Sequence, residues 1–141
     1  MANYFNIGIT PAPFIADEDL TGQQWKLVKA ASTVGNVAST TSACNPMPIG
    51  VLVNDPSAGQ EAAVVLFGPT KAKARANACT LDHGAWLKAA SNGFFEPLGA
   101  VTGEALPAGR WFGANESTTD TSVLGNVFVF LQNACSANAA C

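Results

Sequence analysis

The side chains best suited to chemistry are a cysteine and the chain's single histidine. Cys79 and His83 are separated by three residues, a spacing that fits two zinc ligands or a thiol nucleophile with its base. A zinc site needs three or four ligands, and the remaining cysteines have no paired spacing. The turn sequence Asp82-His83-Gly84 accounts for the histidine without a metal. We therefore predict neither a metal site nor a catalytic thiol.

Other catalytic patterns are missing from the sequence. Glu96 and Glu104 are carboxylates without a motif around them, and no serine lies in a Gly-x-Ser-x-Gly sequence. Neither a Walker A loop nor a dinucleotide-binding fingerprint occurs. The polar residues are mostly Ser, Thr, Asn and Gln between apolar segments. We expect a protein that is not an enzyme and that needs no cofactor.

The four cysteines leave their redox state open. Residues 1–10 lack the basic start and continuous apolar segment of a signal peptide, so a disulfide framework is not expected. Four free thiols are the favoured interpretation. Four cysteines permit three pairings, and the most suggestive pair is formed by the two in the C-terminal tail. The cysteines are Cys44, Cys79, Cys135 and Cys141.

Composition narrows the class of partner. The chain has 141 residues, enough for one domain with a core, of which 48% are hydrophobic and only 12% charged. So few charges cannot cover the surface, which favours burial against other subunits. No run of 18 apolar residues is present, so no membrane-spanning helix is expected. The net charge of −3 argues against nucleic acid as a main partner.

Short apolar segments punctuated by Gly and Pro predict an all-β fold. Strands are expected at residues 23–30, 49–53, 61–68 and 123–131, with others between them, every 8 to 14 residues. The pattern is typical of a small β-barrel or sandwich, tulip-like, made of short antiparallel strands. We predict an N-terminal arm at 1–19, a β-rich domain at 20–132 and a tail at 133–141. Neither an internal repeat nor a second domain is expected.

Two segments have the character of contact surfaces. The arm carries four apolar side chains, and Pro11 and Pro13 disfavour a central strand there, so the arm either docks on its own domain or reaches a neighbour. The four are Tyr4, Phe5, Ile7 and Ile9. A basic strand alternates Lys71, Lys73 and Arg75 with alanines, which places the cations on one face. That face is either solvated or meets an acidic partner.

The tryptophans have two interpretations. Exposed Trp can form a sugar-binding surface, but three scattered Trp are more often core or interface residues. They are Trp25, Trp86 and Trp111. Trp111 follows Arg110, and both residue types are enriched at interfaces. We therefore assign Trp111, with the basic strand, to a contact with a partner protein or another subunit.

Two segments resemble the bacteriophage capsid cement (head decoration) proteins. They are Leu20-Thr21-Gly22-Gln23-Gln24-Trp25-Lys26-Leu27-Val28-Lys29 and Pro48 to Ala76, the latter with Ile49-Gly50-Val51-Leu52 and Asn54-Asp55-Pro56. Asp82-His83-Gly84 then occupies the place of the family's turn before a strand. The likeness covers roughly residues 20 to 110. It fades toward both ends, and the cysteine-bearing tail is not part of it.

The resemblance implies a non-enzymatic structural protein on the outer surface of the virion capsid. Such proteins are commonly trimers that bridge major capsid subunits and stabilise the expanded head. On this basis we expect the arm to lie on the capsid, and the outer faces of two doubly apolar strands to join the subunits. The expected interface residues are Val65, Phe67, Phe128 and Phe130. A glycan- or receptor-binding module on the virion surface is the alternative.

Overall fold

The computed structural model describes residues 11–41, 47–77, 79–98, 107–117 and 121–131. These residues form ten strands and one short 3-10 turn at Ser91–Gly93. The strands are β1 Ala12–Ala16, β2 Leu27–Ala30, β3 Asn36–Ser39, β4 Pro48–Leu52, β5 Glu61–Val65, β6 Gly68–Ala74, β7 Trp86–Ala89, β8 Phe95–Pro97, β9 Gly109–Trp111 and β10 Val123–Val129. The prediction of an all-β chain built as a small barrel is confirmed. No helix of the described residues is long and apolar enough to cross a membrane.

The first five strands close into a barrel. Their order around it is β1-β3-β2-β4-β5, and β5 pairs with β1 to complete the ring. All neighbours are antiparallel except β1 and β3, which run parallel. The expectation of purely antiparallel strands is therefore wrong at this one seam.

Strand β1 lies between two neighbours even though it contains a proline. Pro13 pairs with Ala63 of β5. On the other side, Ile15 donates its N–H to the carbonyl of Gly35, and two residues earlier the corresponding acceptor would be Thr33. That carbonyl already accepts the N–H of Asn36 in the turn before β3. The β1–β3 pairing begins only at Ile15, so the missing N–H of Pro13 removes no bond from this ladder.

The last five strands form a second barrel with the same topology. Its order is β10-β6-β8-β7-β9, which matches the first barrel when β1 to β5 are replaced by β6 to β10. Each pairing keeps its sense, including the single parallel pair, β6 with β8. The chain is thus a tandem repeat of one five-stranded unit. The expectation that it has no internal repeat is wrong.

The repeat leaves a weak trace in the sequence. The segment 28–32, Val-Lys-Ala-Ala-Ser, recurs 59 positions later as Leu-Lys-Ala-Ala-Ser at 87–91. Pro48-x-Gly50 recurs at the same spacing as Pro107-x-Gly109.

The two recurring glycines have the same packing reason. A Cβ on Gly50 would lie 2.5 Å from the carbonyl oxygen of Val65 and 2.7 Å from Val64 Cγ1. A Cβ on Gly109 would lie 2.9 Å from the carbonyl oxygen of Phe128 and 3.2 Å from Val127 Cγ1. In each barrel, the fourth strand therefore approaches the fifth more closely than any side chain allows.

Each barrel has its own core, and the two barrels meet. The first core contains seven buried residues: Ala16, Leu20, Val28, Val37, Leu52, Ala62 and Val64. The second core is built around Trp111, Phe95 and Leu87, and it also includes Leu27 and Val51 from the first barrel. Strand alternation explains this arrangement, because Leu27 and Val51 point away from the barrel that carries them. The junction between the barrels is consequently buried and apolar.

Cys79 corrects the expectation of free thiols. Its sulfur is in a disulfide bond. The other three cysteines, Cys44, Cys135 and Cys141, lie outside the described residues.

Candidate functional site

Aromatic side chains gather on the outside of the second barrel. The ring of Phe67, between β5 and β6, is 66% exposed and meets Phe128 of β10 edge-on, with 5.3 Å between ring centroids. Phe128 lies 6.2 Å from Phe130 in turn. Three of the four residues predicted to join subunits are therefore neighbours on one surface.

The same surface continues across β7 and β9. Trp86 is 43% exposed and meets Phe130 edge-on at 6.0 Å. The guanidinium of Arg110 lies over the Trp86 ring, 4.6 Å from its centroid, and its Nε donates to the carbonyl of Gly84 at 3.0 Å. This cation–π contact and hydrogen bond hold the arginine flat against the barrel. We call Phe67, Trp86, Arg110, Phe128 and Phe130 the aromatic face.

Strand register explains why these residues share a face. Trp86 is paired with Arg110, and Arg110 with Phe128, so the three form a row across β7, β9 and β10. Their neighbours along each strand are buried inside the barrel, as at Leu87 and Val127. Side chains alternate along a strand, so burying those neighbours turns the row outward. The outcome is an apolar surface with a cation at its centre.

Trp111 and Val65 lie elsewhere. The Trp111 side chain is only 1% exposed, and its Nε1 donates to the carbonyl of Ala114 at 2.9 Å. Its ring fills the second barrel and is not available to a partner, which corrects its assignment to a contact surface. Val65 is also buried, so of the predicted interface residues it is the one that a partner cannot reach.

The basic strand has the predicted alternation. Along β6, the alanines at 72 and 74 are fully buried, and the side chains of Lys71 and Lys73 are half-buried on the outer face. Lys71 is paired with Asn126 and Lys73 with the exposed Leu124 of β10. Since β10 also carries Phe128, the two lysines extend the aromatic face on one side with positive charge.

Arg75 is held within the barrel surface. Its Nε lies 2.5 Å from Oε2 of Glu96, whose side chain is 6% exposed, and its Nη2 donates to Ser91 Oγ at 3.2 Å. Glu96 also accepts a hydrogen bond from Asn77 Nδ2. A buried carboxylate needs such partners. Arg75 therefore neutralises Glu96, which leaves the two lysines as the outward charges of this strand.

Lys26 lies where the barrels meet. Its Nζ lies over the ring of Phe94, 4.8 Å from the centroid. The pKa of Lys26 is lowered from its ordinary value, first because burial penalises the charged ammonium and second because Lys73 places a like charge nearby. The junction thus brings two cations together, and a carboxylate approaching from a partner would relieve the repulsion.

The Cys79–His83 pair does not form a reactive centre in this structure. The Cys79 sulfur is held in a disulfide and is not a thiolate. His83 donates its backbone N–H to Asn115 Oδ1 at 2.8 Å, and its ring Nδ1 lies 3.4 Å from the carbonyl of Gly113. The described part of the chain brings together no cluster of three or more His, Cys, Asp or Glu residues that could hold a metal.

Comparison with known proteins gives a structural likeness. No family model matches the chain, and no curated protein matches it. A solved structure, the N base of head fiber gp8.5 in bacteriophage phi29, is similar to this chain with a TM-score of 0.56 and 13% sequence identity. The match covers 88% of this chain and 94% of that chain. At this identity it shows a shared fold.

The sequence pattern did not reveal every residue of this site, and some of the predicted contact residues lie outside the described residues. Trp86 and Arg110 were not assigned to the contact surface, and the recurrence of Leu-Lys-Ala-Ala-Ser was the signal that could have aligned them with the first barrel. The predicted capsid-binding residues Tyr4, Phe5, Ile7 and Ile9 lie outside the described residues. Of the predicted arm, residues 12–16 form β1 and dock on the chain's own domain.

Proposed function

We propose that this chain is a non-enzymatic structural protein of a phage virion that attaches to the outer surface of the head. The observation that carries the proposal is the fold shared with the head fiber base of phi29 along nearly the whole length of both chains. The exposed aromatic face adds independent support, because a contiguous apolar surface of this kind marks a site of protein association.

In this proposal the two outward surfaces have separate partners. The aromatic face joins copies of the chain, for which a homotrimer is the expected assembly. Lys71 and Lys73, together with the N-terminal arm, contact the major capsid protein. Bridging neighbouring capsid subunits stabilises the expanded head because the bound protein favours the assembled state by mass action. Repetition over a lattice multiplies weak contacts into a large total.

Cosedimentation with purified heads tests the proposal. Heads of the phage that encodes this chain, prepared without it, are mixed with the protein in unexpanded and expanded forms. We expect saturable binding to expanded heads only. Absence of binding to both forms would refute the proposal.

A truncation tests the role of the arm. Because β1 spans Ala12–Ala16 and closes the first barrel, deleting the whole predicted arm would remove a strand. Deleting residues 2–10 leaves all ten described strands intact. We expect this variant to keep its circular dichroism spectrum and to lose head binding. Undiminished saturation of heads would remove the arm from the mechanism.

Glycan binding is the second candidate, and Trp86 is the residue that favours it. Its indole is 43% exposed, as a sugar-stacking platform requires. Arg110 already covers one face of the ring and Phe130 meets it edge-on, which leaves less of the ring for a sugar. Titrating glycans while following tryptophan fluorescence, with Trp86→Phe as the control variant, separates the two functions.

A further inference from the structure

The first barrel shows how the outer face of one repeat is used. Leu27, Val51 and Val65 form a row across β2, β4 and β5. The row points out of the first barrel because the inward neighbours pack in its core, and these are Val28, Leu52 and Val64. Leu27 and Val51 are nevertheless buried, since they pack into the core of the second barrel. This outer face is therefore the docking surface between the repeats.

The aromatic face is the same surface on the second repeat. Trp86 and Arg110 correspond to Leu27 and Val51, each 59 positions later. Phe128 corresponds to Val65, because the carbonyls of these two residues hold the equivalent positions against the paired glycines. The row has the same strands and register in both barrels, yet Trp86 and Arg110 are exposed. Among the described residues, the second repeat therefore leaves exposed the surface by which the first repeat packs against the neighbouring barrel.

The receiving surface within the chain is β6 with the turn before β8. Lys73 donates its N–H to the carbonyl of Trp25 at 2.8 Å, and a Cβ on Gly93 would lie 2.9 Å from the carbonyl of Leu27. Gly35 holds the place of Gly93 in the first barrel, since both precede the third strand of their unit with φ near +80°. A Cβ there would meet nothing within 4 Å. Within the part of the chain that the structure describes, the receiving surface of the first barrel is therefore open.

That open surface is apolar and flanked by acids. Val34 is 98% exposed and Ile15 is 41% exposed. Asp17 accepts a hydrogen bond from Asn36 Nδ2, and Glu18 accepts two from Ser39, which fixes both carboxylates beside β3. Residues 1–67 carry a net charge of −3, whereas residues 68–141 are neutral. The acids of this surface complement Arg110, the cation at the centre of the aromatic face.

We infer that copies of this chain associate head to tail, with the aromatic face of one copy seated on β1 and the 33–35 turn of the next. The inference rests on the self-association within the proposed function and specifies its geometry. Such a contact is heterologous, so it closes into a ring or extends as a filament. A ring of three copies would alternate first and second barrels around six positions.

The contact between copies is looser than the junction within a chain. Within the chain, the N–H of Lys73 is taken up by Trp25 of the neighbouring barrel. At the equivalent position of the first barrel, the N–H of Ile15 is bonded to Gly35 of its own barrel. Side chains alone therefore join the copies, and the association depends on concentration.

Sedimentation velocity of the purified chain tests this inference without heads. We expect the wild type to associate as its concentration rises and Val34→Glu to remain a 14.5 kDa monomer with unchanged melting temperature. The control is Ala58→Glu, in the turn whose Gly59 donates to the carbonyl of Ala16 from the β5 side of β1, across the strand from the 33–35 turn. This variant should associate like the wild type. The inference would be overturned if Val34→Glu associated as the wild type does, or if the wild type remained monomeric at every concentration.

Mixing distinguishes head-to-tail from symmetric contact. Phe67→Asp disrupts the aromatic face at its most exposed ring and leaves the receiving surface intact. Val34→Glu disrupts the receiving surface and leaves the aromatic face intact. Each variant alone should be monomeric, and an equal mixture should form a dimer and nothing larger. A monomeric mixture would refute the geometry, and association of Val34→Glu by itself would instead indicate a two-fold contact between aromatic faces. Binding to heads is measured in a separate experiment. A negative result for head binding therefore does not refute head-to-tail association, and a negative result for association does not refute head binding.

Discussion

The pair formed by Trp111 and Gly125 offers the sharpest test of the repeat. Trp111 fills the second barrel, and a Cβ on Gly125 would lie 2.3 Å from its Cη2 atom. The corresponding residues of the first barrel are Leu52 and Ala62, both fully buried in that core. The same volume is therefore filled differently in the two barrels. The second barrel places the large side chain of Trp111 against Gly125, which has none, and the first barrel uses the two moderate side chains of Leu52 and Ala62.

Each single substitution, Gly125→Ala or Trp111→Leu, should lower the free energy of unfolding. Gly125→Ala forces a methyl group against the indole, and such overpacking costs about 1–3 kcal/mol of the free energy of unfolding. Trp111→Leu removes ring atoms from a buried site and should cost about 2–4 kcal/mol through lost burial and the cavity left behind. The double variant places in the second barrel the pair found in the first, and the new methyl enters the vacated space.

Urea denaturation under non-reducing conditions, followed by circular dichroism, measures the three variants. We expect the double variant to be more stable than the sum of the single losses predicts, by about 1–2 kcal/mol. Purely additive losses would show that the two positions do not compensate, and the equivalence of the two barrels at this level would be refuted.

Three further predictions concern charge. Lys73→Glu should weaken head binding about tenfold in cosedimentation, whereas Lys29→Glu on the first barrel should leave it unchanged; equal losses would point to net charge alone. Arg75→Met removes the partner of Glu96, a carboxylate whose side chain is 6% exposed, and should cost about 3 kcal/mol in urea denaturation at neutral pH. If the double variant Arg75→Met, Glu96→Gln lost as much stability as Arg75→Met alone, the result would contradict this cause. Lys26 has a pKa below its ordinary value of 10.5, so between the two values the folded chain binds fewer protons than the unfolded chain. Its contribution to stability should therefore rise with pH through that window, and Lys26→Met should flatten this part of the pH–stability curve.

The sequence determined most of the strands, with the exception of β1 within the predicted arm, and which face of one strand is polar. The alternation of lysine and alanine in 71–76 needs no tertiary information, because a period of two is a property of the strand itself. The predicted strands at 49–53 and 61–68 appear as β4 and β5, within the ordinary uncertainty of strand ends. The low fraction of charged residues also predicted an exposed apolar surface, and the aromatic face is such a surface.

Only the tertiary structure decided which aromatic residues are inside. Trp86 and Trp111 both lie on short strands, but register places Trp111 in the core and Trp86 in the outward row. The tertiary structure likewise made Pro13 acceptable in a paired strand, because the β1–β3 pairing begins only at Ile15. The repeat itself was present in the sequence only as a few conserved spacings. It became visible when ten strands showed the same pairing order twice, since strand pairing joins residues far apart along the chain.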